Sequence, residues 1–136
     1  MSRSGEKILS GAKEALEFAR AHHKRVLVCG GRSYGNIKAV FDTLSGLQPE
    51  PELIIHGSAS GADKIAQTWA DSVGVCCWVY PAKWKKYGKA AGPMRNQVMI
   101  DEGKPDLVVA FPGGAGTADM IRRARAARIP VLQVVE

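Results

Sequence analysis

Four short stretches of the chain combine glycine, hydroxyl and cationic residues in patterns that suit the binding of a phosphate. The first is Cys29-Gly30-Gly31-Arg32-Ser33-Tyr34-Gly35. Gly30 and Gly31 let the backbone turn sharply and approach a ligand, and Arg32 can hold a phosphate; taken alone, the stretch reads equally well as a tight turn between a strand and a helix. The second, Gly57-Ser58-Ala59-Ser60-Gly61-Ala62-Asp63, sets small residues before a helix start, where free N–H groups and the positive end of the dipole attract anions. Ser58 and Ser60 add hydroxyls, and Asp63 reads either as a first-turn carboxylate or as a ligand for a ribose hydroxyl. The third, Pro112-Gly113-Gly114-Ala115-Gly116-Thr117, is the densest anion-binding candidate, and Thr117 also reads as an ordinary N-cap. The fourth is Lys83, Trp84, Lys85, Lys86, Tyr87 and Lys89, followed by Gly92-Pro93-Met94-Arg95-Asn96. Pro93 suits the first position of a helix, which would put Arg95 and Asn96 in its first turn. Arg95 can grip a phosphate or carboxylate with two parallel hydrogen bonds, and Trp84 and Tyr87 can stack on a base or anchor the loop.

Other chemistries are less well served. The lysine of a Walker A loop is missing after Gly116, which argues against ATP hydrolysis of that type. His22, His23 and His56 have no ligand-like spacing, and Cys29, Cys76 and Cys77 form no zinc pattern. No metal and no cofactor are therefore implied, and no order of Ser, His and Asp suggests a hydrolase triad. His56 reads as a structural histidine at a strand end. The adjacent Cys76 and Cys77 point to opposite faces of a strand and make a poor disulfide. Three reduced thiols fit a cytoplasmic protein.

These stretches lie between elements whose period alternates. RVLVC from Arg25, ELIIH before Gly57, VCCWVY up to Tyr80, DLVVAF before Pro112 and IPVLQVV near the end read as five strands. Helical spacing appears over Asn36–Leu47, Ala62–Val73, Pro93–Glu102, with an apolar face of Val98 and Met99, and Thr117–Arg128. Trp69 and Trp78 both fall on apolar patterns and read as core. Such alternation implies right-handed βαβ units. The expected fold is α/β, a Rossmann-like three-layer sandwich with a five-stranded parallel sheet in the order 3-2-1-4-5. Ligands would then bind beyond the strand ends, between strands one and four. Residues 4–22 add an N-terminal helix. The 136 residues thus read as one domain, with a helical extension over 1–23 and a core over 25–135. A net charge of +6, with 19 Lys+Arg against 13 Asp+Glu, suits a small anion and also permits nucleic acid. No apolar run approaches the length of a membrane span.

RVLVCGGRSYGN, HGSASGADKIAQTWA, AGPMRNQVM and PDLVVAFPGGAGTADMI, in that order, resemble the SLOG superfamily, and its YspA/YpsA-related branch in particular. The resemblance covers Arg25 to Val135. It implies a Rossmann-like fold, a nucleotide or nucleotide-derived ligand, and association into homo-oligomers. Its relatives include Lonely Guy phosphoribohydrolases, sensor domains for NAD-derived signals, and DNA-binding DprA proteins. Compared with Lonely Guy enzymes, Arg95 and Met99 match an Arg–Met element, and Pro112, Gly113, Gly114, Gly116 and Thr117 match PGGxGTxxE. The final Glu of that motif falls on Met120, with Asp119 one position earlier. Three functions follow as expectations. The first is nucleotide binding, with the phosphate on the Gly113–Thr117 amides and clamped by Arg95. The second is nucleoside 5′-monophosphate hydrolysis by Arg95 and Asp119. The third is nucleic-acid binding through the Lys83–Lys89 loop and Arg122, Arg123, Arg125 and Arg128.

Overall fold

The computed structural model describes residues 24–48 and 50–136; the helix expected over residues 4–22 lies outside them. Five strands, β1 (Arg25–Cys29), β2 (Leu53–His56), β3 (Cys76–Val79), β4 (Leu107–Ala110) and β5 (Val131–Gln133), form one sheet. Its order is β3-β2-β1-β4-β5 and every pairing is parallel, as expected. Helices α1 (Ile37–Ser45), α2 (Ala62–Val73), α3 (Trp84–Tyr87), α4 (Ala91–Gly103) and α5 (Ala115–Ala126) make the connections, with a 3-10 turn over Gly88–Ala90 between α3 and α4.

Strand alternation divides the core between the two faces of the sheet. Val26, Val28, Ile54, Leu107 and Val109 pack with Val40, Leu44, Ala66 and Trp69 of α1 and α2. Leu27, Cys29, Ile55, Val108 and Ala110 pack with Met99, Ile100, Met120 and Ala124 of α4 and α5. The central strands are apolar at nearly every position because both of their faces are covered. β3 is an edge strand, and the expectation for Trp78 fails there. The residue is 40% exposed, with the Arg25 guanidinium 4.9 Å from a ring centroid, whereas Trp69 is buried and donates to Ser45 Oγ.

Several helix boundaries also differ from expectation. The basic stretch is helical rather than a loop, because α3 and the 3-10 turn run directly into α4. Since α4 begins at Ala91, Pro93 is its third residue, and Arg95 and Asn96 lie in the second turn. Proline fits there because amides of the first turn have no intrahelical acceptor. The buried stripe of α4 is Gly92, Asn96, Met99, Ile100 and Gly103, which leaves Val98 exposed. Helix α5 starts at Ala115 with Gly114 as its cap, so Thr117 is a third residue and not the N-cap. It ends at Ala126, and Arg128 turns out of it with φ +62°. Among the described residues no helix is long and apolar enough to cross a membrane.

Candidate functional site

The three glycine-rich loops meet at the carboxyl ends of β1, β2 and β4, beside the point where strand order reverses. They touch one another through backbone and one hydroxyl. Gly31 N–H donates to Pro112 O at 2.9 Å, Ala62 N–H to Gly31 O at 3.3 Å, and Ser60 Oγ to Arg32 O at 3.0 Å. Gly61 has φ +82°, and a Cβ on it would sit 2.2 Å from Gly31 O. A Cβ on Gly113 would sit 2.2 Å from Thr117 Oγ1 and 2.7 Å from Gly31 N. Only glycine permits this closeness.

A cleft of about 630 Å³ opens above this crossing, within the usual size range of small-molecule sites. Of the residues expected at the site, Gly30, Gly31, Arg32, Asp63, Trp84, Arg95, Asn96, Gly114, Gly116, Thr117 and Asp119 line it. Gly57, Ser58, Ser60, Gly61, Pro112 and Gly113 do not; they form or brace the loops behind its wall. Cys29 also lines the cleft, without having been assigned a role there, as do Lys89 and Arg122, which the sequence offered for nucleic-acid binding. The placement of Cys29 as the last residue of β1 was the available signal. Burial, followed by the charge of Asp63, pushes its thiol up to about 12, so it stands as an unreactive apolar wall.

One wall is the start of α5. No side chain among the described residues caps it, and its first turn holds no acid. The amides of Ala115, Gly116 and Thr117 therefore keep the orphan donors and the uncompensated positive end of a helix. Facing it is Arg95, whose Nη1 donates to Gly57 O at 2.6 Å and Tyr80 O at 3.2 Å, and whose Nε donates to Asn96 Oδ1 at 3.1 Å. Burial lowers the pKa of this guanidinium, against the pull of Asp63; an arginine nonetheless stays charged at neutral pH. Its carbonyl partners fix its direction without neutralising it. The missing side chain of Gly57 leaves the guanidinium its place, since a Cβ there would meet Arg95 Nη1 at 2.2 Å and push it aside.

Asn96 holds two functional groups together. Its Nδ2 donates to Gly116 O at 3.2 Å and Asp119 Oδ2 at 3.0 Å, while its Oδ1 accepts from Arg95. Both amide hydrogens and the carbonyl are thereby engaged, and the residue is buried. Asp119 also accepts from Arg122 Nη2 at 3.0 Å and Arg123 Nε at 2.8 Å. Burial pushes its carboxyl upward, but the bonds from Arg123 and Asn96 and the charges of both arginines outweigh that and hold it below the usual range. Met120, one position on, is buried in the core beneath α5. The acid that reaches the cleft from α5 is therefore Asp119.

Asp63 is tied to its own loop. Its Oδ2 accepts from Gly57 N–H at 3.0 Å and Ala59 N–H at 3.2 Å, and burial raises its pKa against those bonds. His56 is buried behind it. Its Nδ1 accepts from Ser58 N–H, which assigns the ring proton to Nε2 and makes that nitrogen the donor to Gln67 Oε1 at 2.7 Å. On the outer wall, the Arg32 guanidinium lies 5.0 Å from a Trp84 ring centroid, a cation–π distance. Gly92 makes room for the indole, because a Cβ there would sit 3.1 Å from Trp84 Cη2. The β1–α1 loop that carries Arg32 is held at its far end by stacking of Tyr34 on Phe111 and by the Glu136 carboxylate, which accepts from Tyr34 Oη and Asn36 Nδ2.

Comparison with known proteins accords with this architecture. A model of the YspA, cpYpsA-related SLOG family matches residues 24–87. The Gene 61 protein of Mycobacterium phage D29 is 36% identical over 119 residues, covering 80% of this chain and 94% of that protein. The chain belongs to the YspA, cpYpsA-related SLOG family. Among solved structures, DNA processing protein A (DprA) from Streptococcus pneumoniae superposes on this SLOG chain with a TM-score of 0.67 at 20% identity. The match takes in 87% of this chain and 52% of the DprA chain, so the SLOG protein spans about half of that neighbour. At this identity the likeness is one of fold, and it agrees with the Rossmann-like class read from the sequence.

Proposed function

We propose that this SLOG protein binds a nucleotide or nucleotide-derived ligand in the cleft between β1 and β4, as a sensor or processing protein. The observation that carries the reading is the pairing, across one cleft, of the α5 terminus with an arginine that no carboxylate among the described residues touches. The phosphate would sit on the amides of Gly114 to Thr117 and be gripped by the free edge of Arg95. Arg32 and Trp84 offer a flat cationic and aromatic wall to the base, and the β2–α2 loop lies on the sugar side. The family assignment and the fold support a nucleotide-related role of this breadth.

Isothermal titration against AMP, ADP-ribose, NAD and cyclic nucleotides tests it. Binding of at least one is expected, weakened about tenfold or more in Arg95→Ala by loss of a charge-assisted hydrogen bond. Silence of the whole panel at millimolar concentration overturns the proposal.

A second reading, hydrolysis of a nucleoside 5′-monophosphate to free base and ribose 5-phosphate, is favoured by Asp119, which lines the cleft while Met120 is buried in the core. An ionised Asp119 can stabilise an oxocarbenium ion, although its bonds to Arg122, Arg123 and Asn96 suit it poorly to take up a proton. Release of base from AMP, lost in Asp119→Asn, is the expected result; no release over hours by the wild-type protein refutes this reading.

A further inference from the structure

Between Ser72 and Ile100 the chain contains no acidic residue, yet it carries Lys83, Lys85, Lys86, Lys89 and Arg95. The four lysines fall within seven residues, on and beside α3. All four are exposed, and none joins a salt bridge among the described residues. Like charges so concentrated repel one another in the folded state, and a field of this kind attracts polyanions. Its position is specific as well. Lys89 and Trp84 are part of the cleft wall, and Lys83, Lys85 and Lys86 stand next to Trp84 in α3 or at its cap, outside the lining. Trp84 and Tyr87 are both exposed and stand one turn apart, at the i, i+3 spacing that puts side chains on one side of a helix. The Lys86 ammonium lies 5.1 Å from the Tyr87 ring centroid, so cations and aromatic faces are interleaved.

A single nucleotide in the cleft would use Arg32, Trp84, Arg95 and the α5 terminus and leave the rest of this strip, Lys83, Lys85, Lys86 and Tyr87, idle. A polymer with one charge and one aromatic base per unit would occupy both, since stacking on aromatic residues within a cationic groove is how single strands are held without sequence preference. Resting on the nucleotide reading of the cleft, we infer that the cleft receives the phosphorylated end of a single-stranded nucleic acid, whose next nucleotides cross the Lys83–Lys89 strip.

The test titrates the full chain with oligothymidylates of one to eight nucleotides, phosphorylated at the 5′ end in one series and at the 3′ end in another. In one series affinity should rise about tenfold or more from one to four nucleotides and then level off. The logarithmic salt slope should steepen by about two, as expected for some three added phosphate contacts on a single strand. Combined Lys83→Glu, Lys85→Glu and Lys86→Glu substitutions, all outside the cleft lining, should return the four-nucleotide affinity to that of the mononucleotide and leave mononucleotide binding unchanged. The series that shows the gain fixes strand direction. Mononucleotide binding with no gain in length, an oligonucleotide affinity unmoved by the triple substitution, or equal binding of unphosphorylated strands overturns the inference and spares the nucleotide reading. Silence of every probe, mononucleotides included, overturns both.

Discussion

Gly61→Ala is expected to destabilise the protein by about 3 kcal/mol or more, among the largest losses a single surface-loop substitution can produce. Gly61 has φ +82° and ψ −129°, a conformation open in practice only to glycine. The added methyl would lie 2.2 Å from Gly31 O and 2.6 Å from Arg32 O. Those neighbours are backbone, so no rotamer change relieves the overlap. The β1 loop must move, which breaks the bonds of Gly31 and Arg32 to Ala62 and Ser60 and opens the cleft floor. Urea denaturation of both proteins measures the loss. A change below about 1 kcal/mol would mean that the loops can slide apart, and that the crossing is not what holds the cleft together.

The second large effect is electrostatic. Asp119→Asn should lower stability by about 1–3 kcal/mol at neutral pH, because Arg122 and Arg123 lose the carboxylate they converge on and hydrogen bonds to a charged group are among the stronger ones. The effect has a direction in pH. Asp119 is held below its ordinary pKa, so the folded state favours its ionised form. That stabilisation is complete above the unfolded value of about 3.9 and is lost as pH falls through the lower folded value. The gap between wild type and Asp119→Asn should therefore be widest near neutral pH and narrow once the pH falls below about 4. Paired denaturation curves from neutral pH into the acid range check it; a gap that does not narrow at all below about pH 4 would show that shape, and not charge, is responsible.

Much of the fold could be read from the chain because its central strands are buried on both faces and written as unbroken apolar runs closed by glycines. That code fails at the sheet edge. Cys76–Val79 looks like Leu107–Ala110 in composition, but whether Trp78 is covered depends on which helices lie over β3, and no local pattern reports that. Helix α4 was obscured for a different reason. Its buried stripe is built from Gly92, Asn96 and Gly103 as well as Met99 and Ile100, so the apolar period is faint, and Gly88, Gly92 and Pro93 suggest a break where the chain stays helical. The site residues were legible by type and less so by role. Arg95, Asn96 and Asp119 were all expected near the cleft. That Asn96 ties the other two together follows only from the packing of α4 against α5. The tie between Glu136 and Tyr34 joins residues 102 apart, which no short-range spacing can announce.

The meeting of Gly30, Gly31, Gly61 and Gly113 at one point also bears on how such a protein can diversify. Their backbones are so close that a side chain added to any of the three loops displaces another, so the loops cannot drift in shape one at a time. A descendant with a different ligand would have to inherit this knot intact. It could vary the side chains that face the cleft without touching it: Arg32, Trp84, Lys89 and Arg122. The floor of the cleft is thus a shared chassis, and ligand preference is written in its rim.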